Sequence, residues 1–280
     1  MSAPVVAACK GAAIPDVMAF AALLARAEDR PLQVVTVYPG QVPVGIGRVD
    51  SEWVAYSRAE AQGILDGAKR ALPAGIDAGW HARAAESAPP GLHEVMEGAG
   101  PGTIAVLGSH DTRGTRRTAP GSTADRLLTG APGPVVLVPW DYEEFAAPAI
   151  RRIAVAFIDT PDGRAALTTA RSLAAEVGAR LTIVAVMPAT ASPGLGEPRR
   201  YSEGVREDFA QSIRAAAGDE EVRLLEPPVV DALADLLPDE FDLLVCGSRG
   251  YGPARRVLLG GVSARVLKHA RIPVMVVPRP

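Results

Sequence analysis

Cysteine is scarce in this 280-residue chain: Cys9 and Cys246 are the only two. They fall in opposite halves and at no metal-ligand spacing, which excludes a disulfide framework or a cysteine-built zinc site and reads as a pair of small buried thiols in a reduced setting. The four histidines, His81, His93, His110 and His269, are scattered and likewise show no metal spacing. No apolar run approaches the roughly 18–20 residues that a bilayer-spanning helix needs. The start, Met1-Ser2-Ala3-Pro4-Val5, has no basic stretch ahead of an apolar run and does not read as a secretory signal. Neither sign of charge dominates: the net charge is −3 with acids and bases mixed, so nothing calls for a nucleic-acid or acidic-membrane partner. A nucleophile–base set is missing too, since Ser109 and Ser248 share no motif histidine, and Asp219-Glu220-Glu221 reads as a solvated turn. These absences lead us to expect a soluble, cytoplasmic protein.

What the chain does have is a sizeable hydrophobic fraction, 48%, and an internal repeat. Val106-Leu107-Gly108-Ser109 matches Val245-Cys246-Gly247-Ser248, and Pro134 through Pro139 matches Pro273 through Pro278, both at an offset of 139. Without gaps, 13 of the 37 positions from Thr103 to Pro139 are identical to Asp242–Pro278, which argues for duplication. Leu32–Pro39 matches Leu181–Pro188 at an offset of 149, so the first half holds ten more residues between the two blocks. A period this long means two domains, not a solenoid. We place them at 1–139 and 151–280, with 140–150 as a linker.

Each half alternates short apolar runs with amphipathic stretches. The strands expected are Val5–Cys9, Leu32–Val37, Trp80–Ala82, Ile104–Leu107 and Val135–Val138, then Ile153–Ile158, Leu181–Val186, Val222–Leu225, Leu243–Cys246 and Val274–Val277. Between them lie helices at Asp16–Glu28, Ser51–Leu72, Leu92–Glu97, Thr123–Leu128, Arg164–Val177, Ser202–Ala217, Val229–Leu237 and Val262–His269. The pattern specifies an α/β fold of two tandem doubly wound, parallel five-stranded sheets, Rossmann-like in organisation. Val135–Val138 and Val274–Val277 are apolar edges that need cover, a physical motive for the halves to pack as a pseudo-dimer. Gly40–Asp50 and Ala189–Arg200 read as long surface loops, with a lid role as the alternative.

Ligands of open α/β sheets settle beyond the carboxyl ends of the strands, where the strand order reverses. Gly247-Ser248-Arg249-Gly250-Tyr251-Gly252 leaves a buried strand at such an end, and Gly260-Gly261-Val262-Ser263 opens the next helix. Glycines let backbone N–H groups approach an anion, Ser248 and Ser263 offer hydroxyls, and Arg249, Arg255 and Arg256 supply positive charge. The alternative is that these glycines merely permit turns between packed elements.

Gly247-x-x-Gly250, nine residues and then Gly260 resembles the Gly-x-x-Gly-x9-Gly-[Ser/Thr] signature of ATP-binding universal stress proteins, and the resemblance covers nearly the whole chain twice. It implies an adenine nucleotide alpha hydrolase-like fold, a glycine loop wrapping the ribose and phosphates of ATP (with Mg2+ as a possible companion), and a regulatory role in stress such as starvation or low oxygen. It also implies contacts to base and ribose from an Asp after the first strand and a Val near the end of the second, which carry over to Asp159 and Val186; counting back from the helix puts Ile158 in the first of these places. Gly261 stands where the family has Ser or Thr, and Thr160 where a Gly usually follows the Asp. In the first half Gly108, Gly121 and Ser122 are kept, while Lys10 and Asp111 take the places of Asp159 and Gly250. The first site therefore reads as degenerate. Lys10 and Asp111 either pair across it or stand apart in solvent; alternatively Lys10 with Arg113, Arg116 and Arg117 holds an anion. Catalysis is expected to be absent, or at most slow ATP hydrolysis; an enzyme of the related adenylate-forming or pyrophosphatase class is a distant third reading, because its Ser-Gly-Gly-type loop after the first strand is missing. The competing expectation is a nucleotide-free scaffold with an unidentified protein partner. Association of two chains into a homodimer is open at this level.

Overall fold

The structure is a computed structural model and describes residues 3–40, 51–110, 115–188, 200–248 and 261–278. In the first half, strands β1 (Val5–Ala8), β2 (Leu32–Pro39), β3 (Ala78–Ala85), β4 (Ile104–Gly108) and β5 (Val135–Val138) alternate with helices α1 (Ile14–Ala27), α2 (Ser51–Ala71), α3 (Ala88–Ala99) and α4 (Ser122–Leu128). The second half repeats the series with β6 (Arg152–Ala156), β7 (Arg180–Val186), β8 (Glu221–Leu225), β9 (Leu243–Gly247) and β10 (Val274–Val277), and α5 (Pro161–Val177), α6 (Arg200–Ala217), α7 (Val229–Ala234) and α8 (Gly261–Val266).

Local chemistry sets the boundaries. Thr160 caps α5 by accepting the Gly163 N–H at 3.1 Å, Pro161 occupies the first turn where its missing N–H costs nothing, and Gly178 ends the helix in the left-handed region (φ 66°). β1, β5 and β10 are covered on both faces, which is why they are unbroken apolar runs without alternation.

The two five-stranded units join into one ten-stranded sheet, ordered β3-β2-β1-β4-β5-β10-β9-β6-β7-β8. All pairs are parallel except β5 with β10, which run antiparallel with Val136 opposite Met275. The edges expected to need cover thus cover each other. Two hydrophobic layers run across both halves. One lies under α1, α2, α5 and α6, with Phe20, Leu65, Leu167 and Ile213 among its members. The other lies under α3, α4, α7 and α8, with Leu92, Leu127, Leu233 and Val266.

The segment between β5 and β6 packs firmly. Tyr142 is buried edge-to-face between Phe20 and Phe145, at centroid distances of 5.7 and 5.4 Å. The buried carboxylate of Asp16 accepts the backbone N–H groups of Asp141 and Glu143. Among the described helices none is long and apolar enough to cross a membrane.

Candidate functional site

Each half carries one cavity at the carboxyl ends of its central strands, beside the switch between β1 and β4 and between β6 and β9. The second-half cavity has a volume of about 270 Å³. Its floor is Val184 and Val186 of β7 with Leu244 and Cys246 of β9; Val229 and Leu233 of α7 and Val262 and Val266 of α8 close one side. The β6–α5 turn, from Phe157 to Gly163, supplies the other. Asp162 is the one charged residue among this described lining. Its Oδ1 is buried and has no hydrogen-bond partner among the described residues.

Of the residues singled out in sequence, Val186, Gly247, Val262 and Ser263 line this cavity. The Ser263 hydroxyl donates to the Gly247 carbonyl at 2.9 Å, tying α8 to the end of β9. Gly247 has a packing reason of its own: a Cβ there would stand 2.5 Å from the Asp162 carbonyl oxygen and 2.8 Å from its carbon. Gly261 opens α8 in free space. Ser248 is fully buried with an unpartnered hydroxyl. Its counterpart Ser109 donates to the Val138 carbonyl at 2.6 Å and accepts the Ala119 N–H at 3.0 Å. Arg249, Gly250, Arg255, Arg256 and Gly260 lie outside the described residues.

Asp159 does not line the cavity. Its carboxylate is held by the Arg164 guanidinium at 2.6 and 3.0 Å, and that hydrogen bonding keeps it below the usual carboxylate range. The strand register explains the placement. Ala8 faces Leu107 across β1–β4, and Ala156 faces Cys246 across β6–β9, so the residue matching Lys10 is Ile158, which does line the cavity. The offset between β1 and β6 is 148, in accord with the count back from the helix; it is 149 by the ends of α1 and α5, where Arg30 and Ala179 bond back to Ala25 and Ala174, and at β2 and β7. Asp162 was not singled out from the sequence, and Thr160 was named only as a departure from the family pattern. The available signal was an acidic residue in the first turn after a Thr-Pro start, Thr160-Pro161-Asp162-Gly163.

The first-half cavity is larger, about 480 Å³. Val35, Val37, Leu92 and Leu107 form an apolar floor; Lys10, Gly108, His110, Gly121, Ser122 and Thr123 stand around it, and Trp140 closes one end. Gly108 is again a packing glycine, because a Cβ would meet the Ala13 Cβ at 2.4 Å. Asp111 and Arg113 lie outside the described residues. Arg116 and Arg117 are turned away from the cavity. Arg116 reaches Glu144 at 2.7 Å and stacks on Phe145. Arg117 crosses to the second half, donating to the His269 carbonyl and to Asp235 at 3.1 Å. Beside it, the Thr118 N–H donates to the Ala270 carbonyl at 2.7 Å. Cys9 and Cys246 lie against the two cavities, and burial pushes each thiol up to about 12, so neither is a ready thiolate.

The sequence profile described as "Universal stress protein family" matches residues 149–278. A universal stress protein of Mycobacterium tuberculosis is 27% identical over 284 residues, covering 94% of this chain and 95% of its own. A solved universal stress protein from Archaeoglobus fulgidus superposes with a TM-score of 0.70 over 100% of both chains at 18% identity, a likeness of fold. Another from that organism, solved in complex with dAMP, matches 48% of this chain and 96% of its own at 22% identity; its TM-score of 0.35 carries nothing over to the geometry here. A profile on residues 149–278, a relative spanning both halves at 27% identity, and a doubled sheet with a switch-point cavity in each half make this chain similar to universal stress proteins, in sequence over its second half and in fold throughout.

Proposed function

We propose that the second half binds an adenine nucleotide, ATP above all, as the sensing step of a stress-response regulator. The observation that carries the reading is an apolar cavity at the strand switch whose one charged lining residue among those described, Asp162, keeps a buried oxygen unpartnered. Apolar walls suit a flat base, and a lone buried acceptor suits an exocyclic amine or a sugar hydroxyl, since an unmatched acceptor costs free energy until a donor arrives. An acid is a poor neighbour for phosphates. The triphosphate is therefore assigned to the Gly247–Gly260 loop and its arginines, in accord with the family signature, with Mg2+ as its counter-ion.

Calorimetric titration of the whole protein with ATP and magnesium, and separately with adenosine, tests this. Micromolar ATP binding near one site per chain is expected. Asp162→Ala should weaken adenosine and ATP alike by about tenfold, the worth of one good hydrogen bond. No heat and no thermal shift at millimolar ATP removes the nucleotide reading.

The second reading, a nucleotide-free scaffold recruiting a protein partner, is favoured by one observation. Gly247, a signature position, and Ser263, two residues past the signature, already have structural duties to each other and to Asp162.

A further inference from the structure

The first-half cavity is more than a worn copy of the second. At three matched positions it carries the more polar residue. Lys10 stands where the second half has Ile158, Ser122 where it has Gly261, and Thr123 where it has Val262. No Asp or Glu occurs among its described lining residues, whereas the second cavity carries Asp162. Two neighbouring basic residues among those described are committed elsewhere: Arg116 to Glu144, Arg117 to Asp235 and the His269 carbonyl. Lys10 is exposed and takes part in no ion pair among the described residues. Ser109, the remaining hydroxyl, is fully used in holding the loop to β5 and Ala119. The result is a preformed space within the size range of small-molecule sites, with an apolar floor, one cation at its rim and two hydroxyls beside it.

We propose that this first-half cavity binds a small organic anion, a carboxylate or phosphate group on an apolar body, with Lys10 as its counter-charge and Ser122 and Thr123 as hydrogen-bond donors. The apolar body rests on Val35, Val37, Leu92 and Leu107. Adenine fits less well here than in the second half, because no carboxylate among the described lining residues takes the place of Asp162 as acceptor for its exocyclic amine. The site is separate from the one in the second half, and either can fail without the other.

The chain contains three lysines, Lys10, Lys69 and Lys268, which permits a direct test by amine acylation of the whole protein read by mass spectrometry. The probes are phenyl phosphate, phenylacetate, inorganic phosphate and AMP. Phenyl phosphate or phenylacetate at millimolar concentration should slow acylation of Lys10 by about tenfold and leave Lys69 and Lys268 unchanged, with inorganic phosphate weaker for want of an apolar body. Protection by one of the two organic anions alone fixes whether the site takes phosphate or carboxylate. In calorimetry Lys10→Ile should abolish the binding and Lys10→Arg should retain it; the exposed position makes misfolding of either unimportant, and a thermal melt checks it. Equal protection of all three lysines, no protection at ten millimolar, unchanged binding in Lys10→Ile, or tighter protection by AMP than by phenyl phosphate would each overturn the proposal.

Discussion

The two halves share a backbone plan and differ at the points where chemistry is done. Where the strands cross the core the residues are interchangeable: Val135–Val138 and Val274–Val277 are both buried apolar runs meeting at the seam. At the strand ends they part company. Lys10 faces Ile158 in the comparison, Ser122 faces Gly261, Thr103 faces Asp242 and Glu28 faces Val177. Among the described lining residues, the half that keeps the glycine spacing carries an acid, Asp162, and the half that lost it a base, Lys10. Glycine spacing and polar equipment are therefore separate properties of this fold, because Gly108 and Gly247 are demanded first by the close approach of a helix start to a strand end.

Substitutions at matched positions can break or sharpen this comparison. The largest effect is expected at Asp242, a buried carboxylate that accepts the N–H groups of Arg151 and Arg152 and pairs with the Arg152 guanidinium at 2.7 Å. Asp242→Ala should cost about 3–5 kcal/mol by leaving these donors unanswered. Its counterpart Thr103 makes one hydrogen bond, to Gly100, so Thr103→Ala should cost about 1 kcal/mol. Urea unfolding of the two variants measures the contrast.

Next come the packing glycines. Gly247→Ala and Gly108→Ala should each cost about 1–3 kcal/mol by overpacking. Gly247 should be the worse, because it strikes the Asp162 backbone while Gly108 strikes the Ala13 side chain. Equal costs would erase that distinction.

A third test is pH. Glu28 is buried between Arg30 and Glu176 of the other half; burial, helped by the Glu176 carboxylate and opposed by Arg30, raises its carboxyl from 4.5 to about 7. Between these values the folded chain holds a proton that the unfolded chain has released, so stability should fall as pH rises through this window and level off above it. Glu28→Val, which installs the second half's residue, should flatten that stretch and gain about 1–2 kcal/mol at pH 8. Unfolding midpoints between pH 4.5 and 8 decide it; an unchanged slope would assign the pH dependence elsewhere.

The smallest effect is expected at the seam. Arg117→Ala removes exposed contacts to Asp235 and His269 and should cost under about 1 kcal/mol. Faster hydrogen exchange of the Thr118 amide, bonded to Ala270, would mark the loosened contact.

Much of the fold is legible in the sequence because buried parallel strands are unbroken apolar runs bounded by turn residues, as at β5 and β10. The edge strand β3 is harder. It pairs with β2 from Ala78 to Ala85, yet only Trp80–Ala82 is expected from sequence, since an edge strand of Ala, Gly and Arg shows no apolar run. Helices α7 and α8 stop at Ala234 and Val266, short of the expected Leu237 and His269, where chain reversal competes with apolar periodicity. At the site, Gly247, Val262 and Ser263 are readable from their place at a strand end and helix start, and Val186 from the family resemblance. Asp162 is not, because a one-residue difference in the β6–α5 turn shifts the alignment, and only the pairing of β6 with β9 reveals it.

The antiparallel seam between β5 and β10 has one more consequence. Because it reverses the strand direction, the carboxyl ends of the two halves point to opposite rims of the sheet, and so do their cavities. Two identical subunits joined this way must carry identical mouths, since every substitution appears twice. Fusing them into one polypeptide lifts that constraint. Each rim can then acquire its own ligand, and one molecule can report on two unrelated small molecules without either displacing the other.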